Sequence, residues 1–333
     1  MICSFEILYL YSMNKACKIC GNLIGNTSYV VREMMIGIRE EFKYFQCANC
    51  ECLQIEEVPQ DMDKFYPFNY YSFSQNLLKK NTRFKKWIAY HRSNYALFKK
   101  GIFGMLLNML HPNPIFELIS STNIKKDSKV LDIGCGSGNI LYSMMHSGMR
   151  NLKGIDPYIK ENILYDNGLF IEKNELNNEI GGWDLIMLHH VLEHMDHQKD
   201  VLRSIHLKLS DTGTCMIRIP TVTSYAWEKY KTNWVSLDAP RHFYLHSLKS
   251  FKLLVEEQGF FIDKIMFDSS AFQFWASEQY INDIPLMDER SFSENPGNSF
   301  IKKEDIKAFE KNAKKLNIEN NGDQFVAFIK KKI

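Results

Sequence analysis

The strongest indication of fold is a glycine-rich turn between an apolar strand and a helix, in the segment Val130-Leu-Asp-Ile-Gly-Cys-Gly-Ser-Gly-Asn-Ile-Leu141. Glycine permits the tight bends, and the close approach of a ligand to the main chain, that such a turn requires. The turn leads into a helix N-terminus, whose free N–H groups favour negative charge. The dinucleotide fingerprint G-x-G-x-x-G would place its third glycine at Asn139 or Leu141, so the spacing excludes a nicotinamide site.

Strand and helix patterns alternate through residues 127–268, which is typical of a parallel sheet with helical crossovers. Strands are predicted at 129–133, 152–156, 168–171, 183–188, 213–219, 260–267 and 324–330. Helices are predicted at 139–147, 196–209, 248–258 and 302–316, with a loop-rich insertion after residue 268. We divide the chain into a cysteine-containing module at 13–60, a basic, aromatic and helical linker or lid at 61–126, and a catalytic domain at 127–333.

The pattern D-x-G-x-G-x-G in the glycine turn resembles motif I of the class I S-adenosylmethionine-dependent methyltransferases. The matching residues are Asp132, Gly134, Gly136 and Gly138. The resemblance implies a seven-stranded Rossmann-like α/β fold, in which this turn, including Cys135, holds the methionine part of S-adenosylmethionine and the carboxylate at 132 positions its ammonium group. Asp156 ends the next strand and would bind the ribose hydroxyls, as acids there do in dinucleotide folds. The alternatives are a turn that serves only packing and an aspartate that only forms a turn before Pro157.

The segment after the fourth strand of this domain, His189-His-Val-Leu-Glu-His194, resembles the V-L-E-H motif of the same family. Ligands of open α/β sheets bind beyond the carboxyl ends of the strands. His189 is therefore a candidate for the cofactor pocket, and His190 for the pocket or for catalysis. Glu193 and His194 are expected instead to cap and support the helix that follows.

A second concentration of functional side chains follows the fifth strand, in Leu237-Asp-Ala-Pro-Arg-His-Phe-Tyr-Leu-His-Ser247. This run resembles the L-D-x-P-R-H-x-x-x-x-S pattern of methyltransferases from bacterial sugar and polysaccharide biosynthesis. Loops beyond strand ends are where substrates are met. A structural interpretation pairs Asp238 with Arg241, and we expect Ser247 to cap the helix that starts at Leu248.

The chemistry of methyl transfer suggests which of these residues act. The cofactor supplies the activated carbon, and the protein aligns a nucleophile and removes its proton when the acceptor atom is oxygen or carbon. A histidine near its ordinary pKa suits the second task. We predict His242 as the general base, with His190 as the second candidate and Tyr244 in an assisting role.

Two Cys-x-x-Cys pairs lie near the N-terminus, Cys17 with Cys20 and Cys47 with Cys50. Their separation is typical of a zinc ribbon with four thiolate ligands, whose closed tetrahedral site is structural and not catalytic. Four reduced cysteines without a metal are the alternative. Cys52 is left as a spare thiol.

The N-terminal arrangement resembles the zinc-bearing lid of the deoxysugar C-methyltransferases. The segments that carry this resemblance are Tyr44–Cys47, Tyr66–Ser72 and, near the other end, Gly322–Gln324. Those enzymes carry a further C-terminal domain with its own tyrosine and histidine residues, which is not expected here. The resemblance therefore implies a sugar-linked or glycan acceptor, with methylation at oxygen favoured over carbon.

No acidic residue occurs between Asp63 and Glu117, whereas the same stretch holds nine lysines and arginines interleaved with aromatic residues. An amphipathic helix with a solvated basic face is one interpretation. The other is a surface for a phosphorylated acceptor, such as a nucleotide sugar or a lipid-linked glycan at a membrane face. Replacing Lys85, Lys86, Arg92 and Lys99 by glutamine would then raise the acceptor KM.

The remaining function class is a zinc protein that binds and methylates RNA. The basic stretch and the ribbon fit it, but the net charge of the chain is only +2 and no Asn/Asp-Pro-Pro-aromatic motif is present. No apolar run reaches the length of a membrane span, and residues 1–12 do not follow the pattern of a signal peptide. We expect a cytoplasmic protein whose translation starts at Met13, with no function in residues 1–12.

Overall fold

The computed structural model describes residues 15–66 and 82–332. The predictions about residues 1–12 and Met13 lie outside these ranges, as does most of the segment Tyr66–Ser72. Within the described residues, 127 to 268 and 324 to 331 contain the strands that the sequence patterns predicted, and the linker contains helices.

Twelve strands are found in the described residues, in two sheets. They are β1 (Thr27–Arg32), β2 (Glu41–Gln46), β3 (Leu53–Ile55), β4 (Val130–Ile133), β5 (Leu152–Ile155), β6 (Ile163–Leu164), β7 (Phe170–Glu172), β8 (Trp183–His189), β9 (Leu209–Pro220), β10 (Tyr244–Leu245), β11 (Phe260–Phe267) and β12 (Gln324–Lys331). The N-terminal sheet has the order β1-β2-β3-β10, and the catalytic sheet the order β11-β12-β9-β8-β4-β5-β7-β6.

The catalytic sheet confirms the predicted Rossmann-like architecture. Strands β4, β5, β7, β8 and β9 are parallel, and β12 runs antiparallel between β9 and β11. The seven predicted strands are all present, and the eighth is the two-residue strand β6, which pairs antiparallel to β7 at the edge of the sheet. Every side chain of β4 is buried, because helices or loops cover both faces of the sheet, as is usual for parallel strands.

Nine α-helices are described. They are α1 (Arg83–Phe98), α2 (Ile102–Leu110), α3 (Pro114–Ser120), α4 (Asn139–His146), α5 (Gln198–Lys208), α6 (Tyr225–Tyr230), α7 (Leu248–Glu257), α8 (Phe272–Ile281) and α9 (Lys303–Ile318). Short 3-10 turns include Met62–Phe65, Leu192–His194 and Val235–Leu237. The loop-rich insertion after residue 268 also contains a helix that was not predicted, α8, which buries Phe274, Ala276 and Tyr280.

The N-terminal sheet is completed by the catalytic part of the chain. Strand β10 pairs antiparallel with β3, with Tyr244 opposite Gln54 and Leu245 opposite Leu53. The hydroxyl of Tyr44 in β2 also donates a 2.8 Å hydrogen bond to the carbonyl of His242. The loop that holds His242 is thus anchored on the cysteine-containing module.

Helices α1 and α2 form a hairpin in close backbone contact. A Cβ atom at Gly104 in α2 would lie 2.3 Å from the carbonyl oxygen of His91 in α1, so only glycine fits there. Asn113 caps α3 by accepting a hydrogen bond from the N–H of Phe116. None of the described helices has the length and apolarity that a membrane crossing requires.

Candidate functional site

The glycine turn joins β4 to α4 with three glycines in left-handed conformations, at φ 64° for Gly134, 54° for Gly136 and 76° for Gly138. A Cβ atom at Gly134 would lie 2.7 Å from the side chain of Val191, and one at Gly138 would lie 2.4 Å from Ile171. Both the backbone conformation and the space therefore require glycine. The half-buried Cys135 packs toward the neighbouring strand, beside Gly154.

Two buried acids flank the turn. Asp156 accepts hydrogen bonds from the N–H groups of Gly136 (2.9 Å) and Tyr158 (2.8 Å), which ties the turn to the end of β5. Burial, reinforced by the charge of Asp156, raises the pKa of Asp132 to about 8. Burial also raises the pKa of Asp156. A cationic group bound beside Asp132 would favour its ionised form, so the pair fits a ligand with an ammonium or sulfonium centre.

His189 lies at the end of β8, directly beside the end of β4. Both of its ring nitrogens are buried and have no hydrogen-bond partner among the described residues. Burial, with the charge of Arg218, lowers the pKa of His189 to about 3, so the ring is neutral. Buried polar atoms are rarely left unpaired, and these nitrogens are available to a bound ligand. Together with the glycine turn and the two acids, they form a group of residues whose chemistry fits S-adenosylmethionine.

His190 links three charged side chains at the carboxyl end of the sheet. Its Nδ1 donates to Glu193 Oε1 (3.2 Å), and its Nε2 accepts from Nη1 of Arg218 (2.9 Å). Arg218 in turn donates from Nε to Asp268 (2.6 Å). The backbone of His190 has φ 54°, an uncommon conformation for a residue other than glycine. These contacts hold the imidazole as the neutral Nδ1–H tautomer.

Arg218 and Asp268 belong to this network but were not among the predicted site residues. A signal existed for each of them. Arg218 is a charged residue near the carboxyl end of the apolar strand β9, where ligands of α/β sheets bind. Asp268 directly follows β11, the neighbour of β12, and its position became clear only from the antiparallel pairing of these strands.

His242 contacts a different set of groups from those that contact His190. Its Nδ1 donates to the carbonyl of Ser236 (2.8 Å), and its ring packs edge-on against His194 with 4.6 Å between the ring centroids. Burial, reinforced by His194, lowers the pKa of His242 to about 4. Although burial raises the pKa of Glu193, the hydrogen bond with His190 and the positive charges that His190, His194 and His242 carry when protonated lower it to about 2.

Arg241 and Ser247 have the structural roles that the sequence offered as alternatives. The guanidinium of Arg241 is fully buried and donates to Asp238 (2.6 and 3.0 Å), to Glu33 (2.9 Å) and to the carbonyl of Phe65 (3.0 Å). Ser247 Oγ accepts from the N–H of Ser250 at the start of α7. Its hydroxyl also donates to the carbonyl of Cys50.

Tyr244, the third predicted catalytic residue, lies in the N-terminal sheet. Its hydroxyl contacts the carbonyl (3.1 Å) and the carboxylate (3.2 Å) of Asp196, and its ring stacks on His246. Burial, with the charge of Asp196, raises its pKa well above the usual range. These contacts couple Tyr244 to the module and to the start of α5, and its catalytic role stays a prediction.

The four predicted metal ligands converge in the N-terminal module. All four sulfur atoms lie within 4.8 Å of one another, with 3.5 Å between Cys17 and Cys50 and between Cys20 and Cys47. Gln54 Nε2 donates to the sulfur of Cys17 (3.1 Å), a contact typical of the residues that orient metal ligands. We call these residues the cysteine cluster, and a tetrahedral zinc ion fits their donor set and spacing.

Part of the chain is similar in sequence to a known protein family, and solved structures share similarity with it. Residues 112–265 match a family model described as a methyltransferase domain. No curated protein was found to match the chain. Among solved structures, the chain is similar to an S-adenosylmethionine-dependent methyltransferase from Mesorhizobium loti, with 14% identity and a TM-score of 0.42 over 66% of this chain and 99% of the other. It is also similar to an S-adenosylmethionine-dependent methyltransferase from Archaeoglobus fulgidus, with 20% identity and a TM-score of 0.37 over 66% of this chain and 100% of the other. A cyclopropane synthase from Mycobacterium tuberculosis is also similar, with 12% identity and a TM-score of 0.40 over 75% of this chain and 99% of the other.

The family match covers the glycine turn, both acids and the strand ends that carry the histidines. The strand order of the catalytic sheet agrees with it independently. Residues 112–265 are therefore similar to a methyltransferase domain, and the catalytic sheet has a Rossmann-like α/β fold.

Proposed function

We propose that this protein transfers the methyl group of S-adenosylmethionine to a hydroxyl oxygen of a sugar-linked, phosphorylated acceptor, and that it does so in the cytoplasm at an anionic membrane surface. The observation that carries the transfer is the neutral His190, held between Glu193 and Arg218 at the strand end beside the glycine turn. The cofactor supplies the activated methyl group. The protein has to bind it, orient the acceptor and take up a proton.

The cofactor would be held by the glycine turn, the two buried acids and His189. The tight turn of the three glycines suits the methionine part, with Asp132 facing its ammonium group. Asp156 is placed at the end of β5 for the ribose hydroxyls. The unpaired nitrogens of His189 are available to the adenosine or to the methionine carboxylate.

His190 is better placed than His242 to act as the base. In His190, Nδ1–H donates to a buried carboxylate, an arrangement that fixes the tautomer and stabilises the imidazolium formed when Nε2 takes a proton. The acceptor hydroxyl would replace Nη1 of Arg218 at Nε2. Asp268 would keep the guanidinium nearby through Nε. We therefore exchange the predicted order of the two candidate bases.

The assignment of the base is tested with His190→Gln. We expect kcat to fall by about 10²–10⁴-fold, because that is the usual contribution of a general base, while the affinity for S-adenosylhomocysteine stays within about threefold. Methyl transfer would be followed with labelled cofactor on nucleotide sugars and on polyprenyl-phosphate sugars. The exposed His197→Gln is the matched control, and unchanged kcat in His190→Gln would rule out this role.

The membrane part of the proposal rests on the hairpin of α1 and α2. We call hairpin face the set of large apolar side chains that these helices expose: Phe84, Trp87, Ile102, Phe103, Leu106, Met109 and Leu110. Ile102, Met109 and Leu110 are each more than 70% exposed, and with Leu106 they follow the spacing of one helical stripe. A contiguous apolar patch of this kind marks an interaction surface and not an ordinary solvated face.

Positive charge surrounds the hairpin face. Arg83, Lys85, Lys99 and Lys100 are exposed on or just after α1, whereas Lys86 lies 3.7 Å from Asp166 and Arg92 is half-buried. Apolar side chains bordered by cations are the combination that binds anionic lipid headgroups and the acyl region below them. A lipid-linked sugar phosphate would then be delivered at the same surface. The residues to test are therefore Arg83, Lys85, Lys99 and Lys100, and no longer Lys86 and Arg92.

The lipid interaction is tested by sedimentation with phosphatidylglycerol and phosphatidylcholine vesicles. We expect binding to the anionic vesicles only, and a loss of about tenfold or more when Leu106, Met109 and Leu110 are all replaced by serine. Ile180→Ser and Ile318→Ser are matched controls, because both side chains are more than 80% exposed outside the hairpin. Salt-sensitive RNA binding that survives the triple serine replacement would favour the RNA-methylating alternative instead.

We further propose that the cysteine cluster binds structural Zn²⁺. All four positions of a tetrahedral ion would be filled by thiolates, so the ion would hold the module together and leave the chemistry to the catalytic sheet. Such a site requires reduced thiols, which agrees with a cytoplasmic location. The module boundaries at residues 13–60, 61–126 and 127–333 remain part of this proposal, with β10 as the strand that joins the first and last units.

A further inference from the structure

A second group of metal-binding side chains lies between the catalytic sheet and the His242 loop. Glu193, His194 and His242 place one ligand atom each within 4.8 Å of the others. We call these three residues the histidine–glutamate cluster. Glu193 is fully buried, and His242 is 8% exposed. Buried carboxylates are normally paired with a hydrogen-bond donor at both oxygens, yet Glu193 Oε2 has no partner among the described residues.

The two imidazoles of this cluster present lone pairs and not N–H groups. His194 Nδ1 donates to the carbonyl of Arg241 (2.8 Å), and His242 Nδ1 donates to the carbonyl of Ser236 (2.8 Å). A backbone carbonyl only accepts hydrogen bonds, so in each neutral ring the proton is on Nδ1 and Nε2 is free to bind. A histidine that binds a metal almost always donates its other N–H in this way, which orients the ring.

The surrounding structure holds these ligands in place before any ion arrives. Arg241, whose carbonyl orients His194, is fixed by Asp238 and Glu33, and the carbonyl of His242 accepts from Tyr44. Ligands of a tetrahedral ion with bonds near 2.1 Å lie roughly 3.4 Å apart, so small side-chain rotations would bring the three atoms to one centre. Rigid supporting contacts of this kind are what a metal site needs.

We propose that Glu193, His194 and His242 bind a divalent first-row metal ion such as Zn²⁺, Mn²⁺ or Fe²⁺, at a site separate from the cysteine cluster. Two imidazoles and one carboxylate leave at least one coordination position for water or for an oxygen of the acceptor. Val191, two residues before Glu193 in the chain, packs on Gly134 of the glycine turn.

The role of the ion rests on the proposed methyl transfer, although its binding does not. Bound beside the cofactor turn, the ion would orient an acceptor hydroxyl and lower the pKa of that hydroxyl by coordinating its oxygen. The same carboxylate, Glu193, would then contact both the ion and His190, which takes up the proton. The metal content of the protein therefore tests the site even if no acceptor is found.

The site is tested on untagged full-length protein reconstituted with Co²⁺. We expect about two ions per chain, one with thiolate-to-cobalt absorption in the near ultraviolet and one with only weak visible bands, because its ligands are nitrogen and oxygen. His194→Gln and His242→Gln should each retain the thiolate absorption and lose the second ion. His197→Gln is the matched control, because this histidine is exposed and three residues from His194.

Two results would overturn the proposal. One is a wild-type protein that binds only the thiolate-ligated ion, even at a large excess of Co²⁺ or Mn²⁺. The other is a second ion that persists in both histidine variants. If a variant fails to fold, X-ray absorption of the wild-type protein decides the matter, since the second ion must then show nitrogen and oxygen neighbours without sulfur.

Discussion

The cysteine cluster and the histidine–glutamate cluster differ in how the chain supplies their ligands. The cysteines come as two local pairs, and each pair forms a turn closed by backbone hydrogen bonds, such as that from Gly21 to Cys17. Glu193 and His194 are adjacent, but His242 comes from a loop beyond the next strand of the sheet. The first cluster is encoded by spacing, whereas the second exists only after the sheet has formed.

The two clusters also differ in what they leave open. Four thiolates complete a tetrahedral shell, and a site of this kind stabilises the fold without taking part in chemistry. The histidine–glutamate cluster offers three ligands beside the glycine turn and shares Glu193 with His190. The closed cysteine cluster should therefore control folding, and the open histidine–glutamate cluster should control reactivity.

The largest effect is expected for Cys47→Ser. Structural zinc contributes roughly 10–16 kcal/mol in small domains, so losing one ligand should cost several kcal/mol and unfold β1–β3. Metal content and hydrogen exchange of these strands would measure this. Cys52→Ala is the control, since this buried thiol lies outside the cluster and the variant should keep its zinc. Protected strands in Cys47→Ser would mean that the closed site is dispensable for folding.

The next effect concerns Arg241, which joins the two regions. It donates to Glu33 of the N-terminal module and to Asp238 of the His242 loop, and Glu33 also accepts from four backbone N–H groups at 35–38. Arg241→Gln would leave buried carboxylates without their cation and lower the free energy of unfolding by about 3–5 kcal/mol. Denaturant unfolding would measure it.

The control for that variant is Arg203→Gln, because the Arg203–Asp200 pair is exposed and should contribute about 0–1 kcal/mol. Arg241→Gln should also weaken Co²⁺ binding at the histidine–glutamate cluster, since the carbonyl of Arg241 orients His194. The cysteine cluster should keep its metal. Equal loss of both ions would mean that the two sites belong to one folding unit and do not have separate roles in folding and reactivity.

The sequence predicted the fold and the cofactor turn well because both depend on local patterns. Apolar runs and glycines gave the strands of the catalytic sheet, with β11 predicted at its observed bounds and the other ends within a few residues. The elements that the sequence did not predict are short or are buried by tertiary contacts. The edge strand β6 has two residues, and helix α8 is buried by packing that no local pattern announces.

The sequence could not assign the histidines, because their roles depend on distances between elements. His190, His194 and His242 all looked like candidate bases or supports from their positions after strands. The structure separates them by contacts: His190 with Arg218 and Glu193, and His242 with His194 and Ser236. Which ring nitrogen is free depends on backbone carbonyls, and a sequence pattern does not show these.

The smallest effect concerns two buried carboxylates, Glu193 and Asp132, whose surroundings shift their pKa values in opposite directions. Burial raises the pKa of Glu193, but the neighbouring histidines lower it overall, whereas burial, reinforced by the charge of Asp156, raises the pKa of Asp132 to about 8. The folded unliganded protein therefore holds a proton on Asp132 that the unfolded chain releases near pH 4. Because of Asp132, the free energy of unfolding decreases as pH rises from about 4 to 8, by up to ~1.4 kcal/mol per pH unit.

Asp132→Asn should remove that slope, so the variant becomes more stable relative to the wild type as pH rises from 5 to 8. Denaturant midpoints at several pH values would show it, with Asp211→Asn as control because Asp211 is 96% exposed. S-adenosylhomocysteine, whose ammonium group should face Asp132, should bind the wild type more tightly toward pH 8 and displace a proton that calorimetry in two buffers detects. Binding to the variant should be about tenfold weaker or more, with little dependence on pH. A wild-type affinity that is flat between pH 6 and 8 would remove Asp132 from the ammonium site and leave the glycine turn, Asp156 and His189 to hold the cofactor.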